Sequence, residues 1–131
     1  MSEVSIDQIW DDITERVGDD LRGITLYEGT DLETRLRKDV REQYTRTEDR
    51  ELVDNMIIDQ LRLEETETAF NTGQYHAFVR IFDEAWFLSW ADSLESKSGV
   101  VVSIQRNGTA SMDVLEWCLQ YLNDEIDPLL S

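Results

Sequence analysis

Tyr75-His76-Ala77-Phe78-Val79-Arg80-Ile81-Phe82-Asp83-Glu84-Ala85-Trp86-Phe87-Leu88-Ser89-Trp90-Ala91 is the stretch that decides the fold class. Residues 75–82 and 86–91 are rich in β-branched and aromatic side chains, which fit a pleated, half-buried surface. Asp83-Glu84-Ala85 breaks the run, so the spacing predicts two strands joined by a short turn, a β-hairpin. In a strand, alternate residues share a face. Tyr75, Ala77, Val79 and Ile81 therefore fall on one side of the first strand, and His76, Phe78, Arg80 and Phe82 on the other. Trp86, Leu88 and Trp90 alternate in the same way with Phe87, Ser89 and Ala91. Large apolar groups on both faces imply either a sheet covered by helices on both sides or a face or edge that meets another chain.

Downstream of the hairpin, a polar connection over 92–98 leads to a third strand, Val100 to Gln105. Asn107-Gly108 turns the chain, and Thr109 or Ser111 is the expected cap of a last helix. Met112, Leu115, Leu119, Leu122 and Ile126 give that helix an apolar face, and Pro128 ends the regular structure. Upstream, Ser5 with Gln8 reads as a capping box, and Ile6, Ile9, Trp10, Ile13 and Val17 follow at helical spacing. Gly18 is a natural stop. Leu21, Ile24, Leu26 and Tyr27 predict a short strand before Glu28, with Gly23 marking a bulge. Thr30 with Glu33 resembles a second capping box, and Leu32, Leu36, Val40 and Tyr44 recur every four residues as on a helix. The apolar-free stretch Thr45 to Arg50 predicts a break, after which Leu52, Val53, Met56, Ile57 and Leu61 resume helical spacing. Residues 64–74 read as helix end and loop.

The expected fold is thus α+β: a mostly antiparallel sheet of about four strands, with N-terminal, central and C-terminal helices packed on it. A chain of 131 residues suits a single domain, 1–131, with one hydrophobic core.

Charge is the strongest compositional signal. The chain carries 29 acidic residues against 12 basic ones, a formal net charge of −17, and ten of the basic residues are arginine. Lys38 and Lys97 are the two lysines. In dilute buffer such a surplus repels itself. At about 1 M salt the Debye length is about 3 Å and the repulsion is screened, while surface carboxylates favour solubility. Scarce lysine fits too, since lysine exposes a long apolar stem. The expectation is a protein adapted to a salty cell interior. A disordered acidic tail is a poorer account, because the acids are interleaved with periodic apolar residues. A DNA mimic or an inhibitor of a basic protein is an alternative.

Cys118 is the sole cysteine, so no intramolecular disulfide is expected. Met1-Ser2-Glu3-Val4 shows no basic segment leading into an apolar one, and no apolar run approaches the roughly 20 residues of a membrane span. A soluble, cytoplasmic protein is expected.

Catalytic signatures are sparse. His76 is the sole histidine. A nucleophile pair with Cys118 would need the two side by side, whereas Cys118 sits mid-helix among Leu115, Trp117 and Leu119, where a half-buried, inert thiol is expected. One histidine and one cysteine do not make a zinc site. Asp11-Asp12, Asp19-Asp20 and Glu64-Glu65 read as solvated faces. Phosphate-binding glycine motifs, a nucleophile elbow and calcium-loop spacing are missing. Asn107-Gly108-Thr109 fits a turn and helix cap better than a glycosylation acceptor. The Arg35–Arg41 cluster, mixed with acids, reads as a helix face laced with i,i+4 ion pairs; nucleic-acid binding is not expected. The sequence therefore predicts no catalytic residue, cofactor or metal site, and no membrane partner.

The segments Gly73-Gln74-Tyr75-His76-Ala77-Phe78-Val79-Arg80-Ile81-Phe82, Trp86-Phe87-Leu88 and Gly99-Val100-Val101-Val102-Ser103 resemble a family of small acidic haloarchaeal proteins of unknown function. Gly18-Asp19-Asp20-Leu21-Arg22 and Leu36-Arg37-Lys38-Asp39-Val40 resemble it too, so the likeness spans most of residues 13–125. Asp83-Glu84-Ala85-Trp86 departs from it by lacking a glycine in the turn. The resemblance implies a haloarchaeal source and assigns no activity. The element order is also similar to roadblock and longin-type domains, small adaptors that often mediate dimers; this is likeness of fold alone.

The leading expectation is a non-enzymatic interaction or regulatory module, a homodimer or one half of a heteromer, whose contact surface is His76, Phe78, Arg80, Phe82 and Phe87. Its rival is a small-ligand sensor with a pocket between sheet and helices lined by Trp10, Trp86, Trp90 and Trp117.

Overall fold

The computed structural model describes residues 5–28, 31–43, 50–52, 54–55, 58, 68–73, 76–91 and 98–126. Helix α1 (Ile6–Val17) starts where Ser5 accepts the Gln8 amide hydrogen at 3.4 Å. The Gln8 side chain does not complete a capping box; it donates to Asp12 at 2.8 Å. Gly18, at φ 72°, ends the helix in a conformation that costs a glycine little. A 3-10 turn (Gly18–Asp20) leads into β1 (Leu21–Glu28). Strand β2 (Asp31–Leu36), the short helix α2 (Lys38–Arg41), β3 (Ala77–Ile81), β4 (Ala85–Ala91), β5 (Ser98–Gln105) and helix α3 (Asp113–Tyr121) follow, and a π-helical turn (Leu122–Ile126) extends α3.

The fold is α+β, with five antiparallel strands in the order β2-β1-β5-β4-β3. The sheet thus exceeds the expected four strands by one. The additional strand is β2, in the segment whose four-residue spacing predicted a helix. Asp31–Leu36 also alternates, placing Leu32, Thr34 and Leu36 on one side, and pairing with β1 decides between the two periods. Tyr27 stands opposite Leu32, Thr25 opposite Thr34 and Gly23 opposite Leu36. Val40 is buried in α2, which is four residues long. Thr30, Tyr44 and most of the break at 45–50 lie outside the described residues. So do several positions of the expected second half, including Val53, Met56, Ile57 and Leu61; helical backbone is described at 50–52, 54–55, 58 and 68–70.

Helices α1 and α3 cover one face of the sheet, called the first face below. Ile6, Ile9, Ile13 and Val17 of α1 and Val114, Leu115 and Cys118 of α3 pack there against Leu21, Ile24, Trp86, Leu88, Trp90, Val100, Val102 and Ile104. Of the expected apolar face, Leu115 is buried on α3 and Leu122 and Ile126 in the turn that extends it, while Met112 is exposed and Leu119 partly buried; Val114 and Cys118 complete the face.

Polar links also tie the helices down. Arg16 on α1 pairs with Asp113 on α3 at 3.2 Å. Arg35 on β2 pairs with Asp7 at 2.9 Å and lies over the Trp10 ring at 4.5 Å. The Tyr121 hydroxyl donates to Asp12 at 2.6 Å. Arg35 thus bridges sheet and helix instead of joining the expected i,i+4 pairs on a helix of its own. Neither Thr109 nor Ser111 caps α3 with its side chain: the cap position is Met112, and Thr109 is turned toward Asp20.

Gly99, on β5, faces the Trp90 carbonyl oxygen and the Tyr27 hydroxyl; a Cβ there would collide with both. The strands β5, β4 and β1 approach this closely because that position carries no side chain.

Candidate functional site

The second face of the sheet holds two of the buried polar atoms that lack a hydrogen-bond partner, on Arg22 and Ser103; Thr14 on α1 and Trp86 in the first-face core bury two more. The second face carries Arg22, Thr25, Tyr27, Phe87, Val101 and Ser103, with Leu32, Leu52 and Phe78 packed on the Tyr27–Val101 pair. A cavity of about 290 Å³ lies on this face, lined by strand residues Arg22, Gly23, Thr25, Thr34, Leu36, Phe87, Val101 and Ser103, by Val40 of α2, and by Glu51, Leu52 and Asn55 from the helical stretch between β2 and β3. A wider hollow of about 510 Å³ adjoins it, sharing Arg22, Leu52 and Phe87 and reaching the hairpin at Arg80, Phe82, Asp83, Glu84 and Ala85.

Arg22 reaches this face because of a bulge. Leu21 pairs with Ile104, and Gly23 pairs with Ser103, so Arg22 is the extra residue of β1. Leu21 and Ile24 point into the helix-covered core, while Arg22 and Gly23 both line the second face. Without the extra residue, strict alternation would send Arg22 into the apolar core. Arg22 is buried, at 7% exposure for the residue. The Nε is buried with no hydrogen-bond partner, and so is the Ser103 hydroxyl on the neighbouring strand. Arg22 makes no ion pair with a described residue. Thr25 and Thr34 satisfy one another across the β1–β2 pair, at 3.2 Å between hydroxyl oxygens.

Four residues of the expected contact surface come together at the hairpin. Phe78 and Phe87 are half-buried on the second face. The Arg80 guanidinium lies over the Phe78 ring at 4.9 Å, and Phe82 meets Phe87 edge-on at 5.6 Å. His76, the fifth, is exposed just before β3 and takes no part in these ring contacts. The hairpin also exposes apolar groups on the side of β3 opposite Phe78 and Arg80: Val79 is 38% and Ile81 54% exposed, with Phe82 at 53% just beyond. Strand β3 is one of the two edges of the sheet.

The tryptophans stand elsewhere. Trp86 and Trp90 are buried in the first-face core, and Trp10 and Trp117 pack at its margin. Trp90 donates its indole hydrogen to Asn123 at 2.8 Å. None of the four lines the two second-face cavities described here. Cys118 is fully buried, not half-buried as expected, and burial pushes its thiol up to about 12, so it is protonated at neutral pH. The carboxylate pairs divide in role: Asp12 accepts from Gln8 and Tyr121, Asp20 holds the turn before α3, and Glu64-Glu65 lie outside the described residues.

Reading the sequence brought out the hairpin aromatics but not Arg22, Ser103 or the cavity between them. The one available signal was the glycine after Arg22, which marks the bulge.

A family model described as "Domain of unknown function (DUF7522)" matches residues 7–124, and the chain belongs to that family. None of the curated proteins matches it. Among the described residues no helix is long and apolar enough to cross a membrane.

Proposed function

We propose that this protein is a non-enzymatic interaction or regulatory module of a salt-adapted cytoplasm, and that it associates with a second copy of itself through the edge of β3. The observation that carries the reading is the composition of that edge. In a chain with 29 acidic residues, Ala77–Ile81 holds none, and its one charge is Arg80. It is also where Val79 and Ile81 stay exposed.

An edge strand offers a row of backbone donors and acceptors, and pairing edge to edge uses them. Antiparallel pairing of two copies about Val79 would set Arg80 of each against the partner's Phe78, extending the cation–π contact already made within the chain. It would also set the exposed Val79 of the two copies side by side and Ile81 beside the partner's Ala77. Concentrated salt helps twice, by screening the long-range repulsion between two chains of net charge −17 and by strengthening apolar burial. The acid excess with scarce lysine supports a haloarchaeal source, and the resemblance to roadblock and longin-type domains supports a dimer-forming adaptor.

Sedimentation equilibrium in concentrated KCl tests this. The expected result is a dimer that Val79→Glu or Ile81→Glu converts to monomer with the fold unchanged by circular dichroism. A chain that stays monomeric at all concentrations in concentrated KCl overturns the reading.

A further inference from the structure

We propose that the cavity beside Arg22 binds a small oxyanion, the phosphate or carboxylate group of a metabolite. This goes beyond the self-association reading and does not rest on it.

The argument begins with an imbalance. A guanidinium is always charged, and taking it out of water is unfavourable unless its hydrogen bonds are made. In a chain this rich in carboxylates an ion pair for a buried arginine would be easy to supply. Other arginines have one: Arg16 pairs with Asp113, Arg35 with Asp7 and Arg37 with Asp39. Arg22, the arginine buried on the sheet, has none among the described residues. Glu51 is the acid among the lining residues; it is exposed, and no ion pair joins it to Arg22.

The second observation is independent. Ser103, on β5 opposite Gly23, buries a hydroxyl that also lacks a partner and lines the same cavity. A planar fork of N–H donors and a nearby hydroxyl donor is the donor set that fits a tetrahedral phosphate or a planar carboxylate. Asn55 adds a side-chain amide at the wall, from the helical stretch.

The volume, about 290 Å³, sits at the small end of ligand sites and suits an anionic group with a short stem. Leu36, Val40, Leu52, Phe87 and Val101 supply apolar wall beside the Thr25 and Thr34 hydroxyls, and a less polar surrounding strengthens a charge-assisted hydrogen bond. The β1 bulge is the device that puts Arg22 there: one inserted residue re-aims one side chain, as bulges beside binding sites do.

The test uses the full chain and calorimetric titration at constant ionic strength, held with a weakly binding potassium salt, with three probes each added in exchange for that salt: inorganic phosphate, succinate and chloride. Saturable binding of phosphate or succinate is expected, and the preferred probe tells a phosphate site from a carboxylate site. Arg22→Gln should weaken binding by about tenfold or more, and Ser103→Ala by a smaller factor. Arg16→Gln, which breaks an exposed pair away from the cavity, should leave it unchanged.

Should Arg22→Gln fail to fold, the Arg22 Nε–H resonance of the unaltered chain gives a second readout. It should move on titration with the oxyanion and saturate at the calorimetric midpoint. Saturation by chloride alone, equal binding to the Arg22→Gln chain, or an Arg22 resonance unmoved by both oxyanions overturns the proposal.

Discussion

The Asp20 carboxylate accepts the backbone amide hydrogens of Thr109 and Ala110 at 2.8 and 2.7 Å and the Thr109 hydroxyl at 3.0 Å, all on one oxygen. It joins the end of the first helical segment to the turn before the last one, across 89 residues of chain. Gly108 permits this, because a Cβ at that position would run into the same carboxylate. Asp20→Ala leaves two amide hydrogens and a hydroxyl to water. The expected loss is about 1–2 kcal/mol of unfolding free energy by urea titration. Asp20→Asn should recover part of it, since the amide oxygen still accepts.

Gly99→Ala tests the close approach of β4 and β5. The added methyl would strike the Trp90 carbonyl, which is backbone and yields little. Overpacking of this kind costs about 1–3 kcal/mol, and thermal unfolding in high salt should show it.

Cys118 combines full burial with a thiol pushed up to about 12. A thiolate is the reactive form, so a disulfide reagent should label the native chain slowly and the urea-unfolded chain fast. Labelling of the folded chain should follow the opening of the α3–sheet contact. Equal rates in the two states would show that this core does not exclude the reagent.

Acid titration separates two opposing electrostatic effects. Asp39 is held below the ordinary aspartate range first by its hydrogen bond from Arg37, with the Arg37 charge adding to it. The Asp113 carboxyl is held down first by the Ser111 hydroxyl, with Arg16 adding to it. A depressed folded value means stability present above the unfolded value, about 3.9, and lost as pH falls through the folded one. In concentrated KCl, stability should therefore hold from neutral pH to about pH 4 and decline below it. Asp39→Asn and Asp113→Asn should shrink the decline. In dilute buffer protonation also reduces the net charge of −17, so stability should first rise on mild acidification before it falls.

Parts of this fold were legible because one local period stood alone. Ile6, Ile9, Ile13 and Val17 repeat as on a helix and as nothing else, and all four are buried. Trp86, Leu88 and Trp90 alternate within a short aromatic run, and they share the first-face core. Segment 31–36 was misread because it satisfies two periods at once. Leu32, Leu36 and Val40 suit a helix, and Leu32, Thr34 and Leu36 suit a strand; hydrogen bonding to β1 selects the strand. Such a partner lies outside the segment and leaves no mark in its spacing.

Residue order alone therefore settled the acidic composition, the α+β class and the hairpin, since these follow from side-chain chemistry and nearest-neighbour periodicity. Tertiary structure decided the fifth strand, the face that Arg22 occupies and the cavity it shares with Ser103. Those depend on register between strands, and one bulged residue changes which side of the sheet a charge must live on.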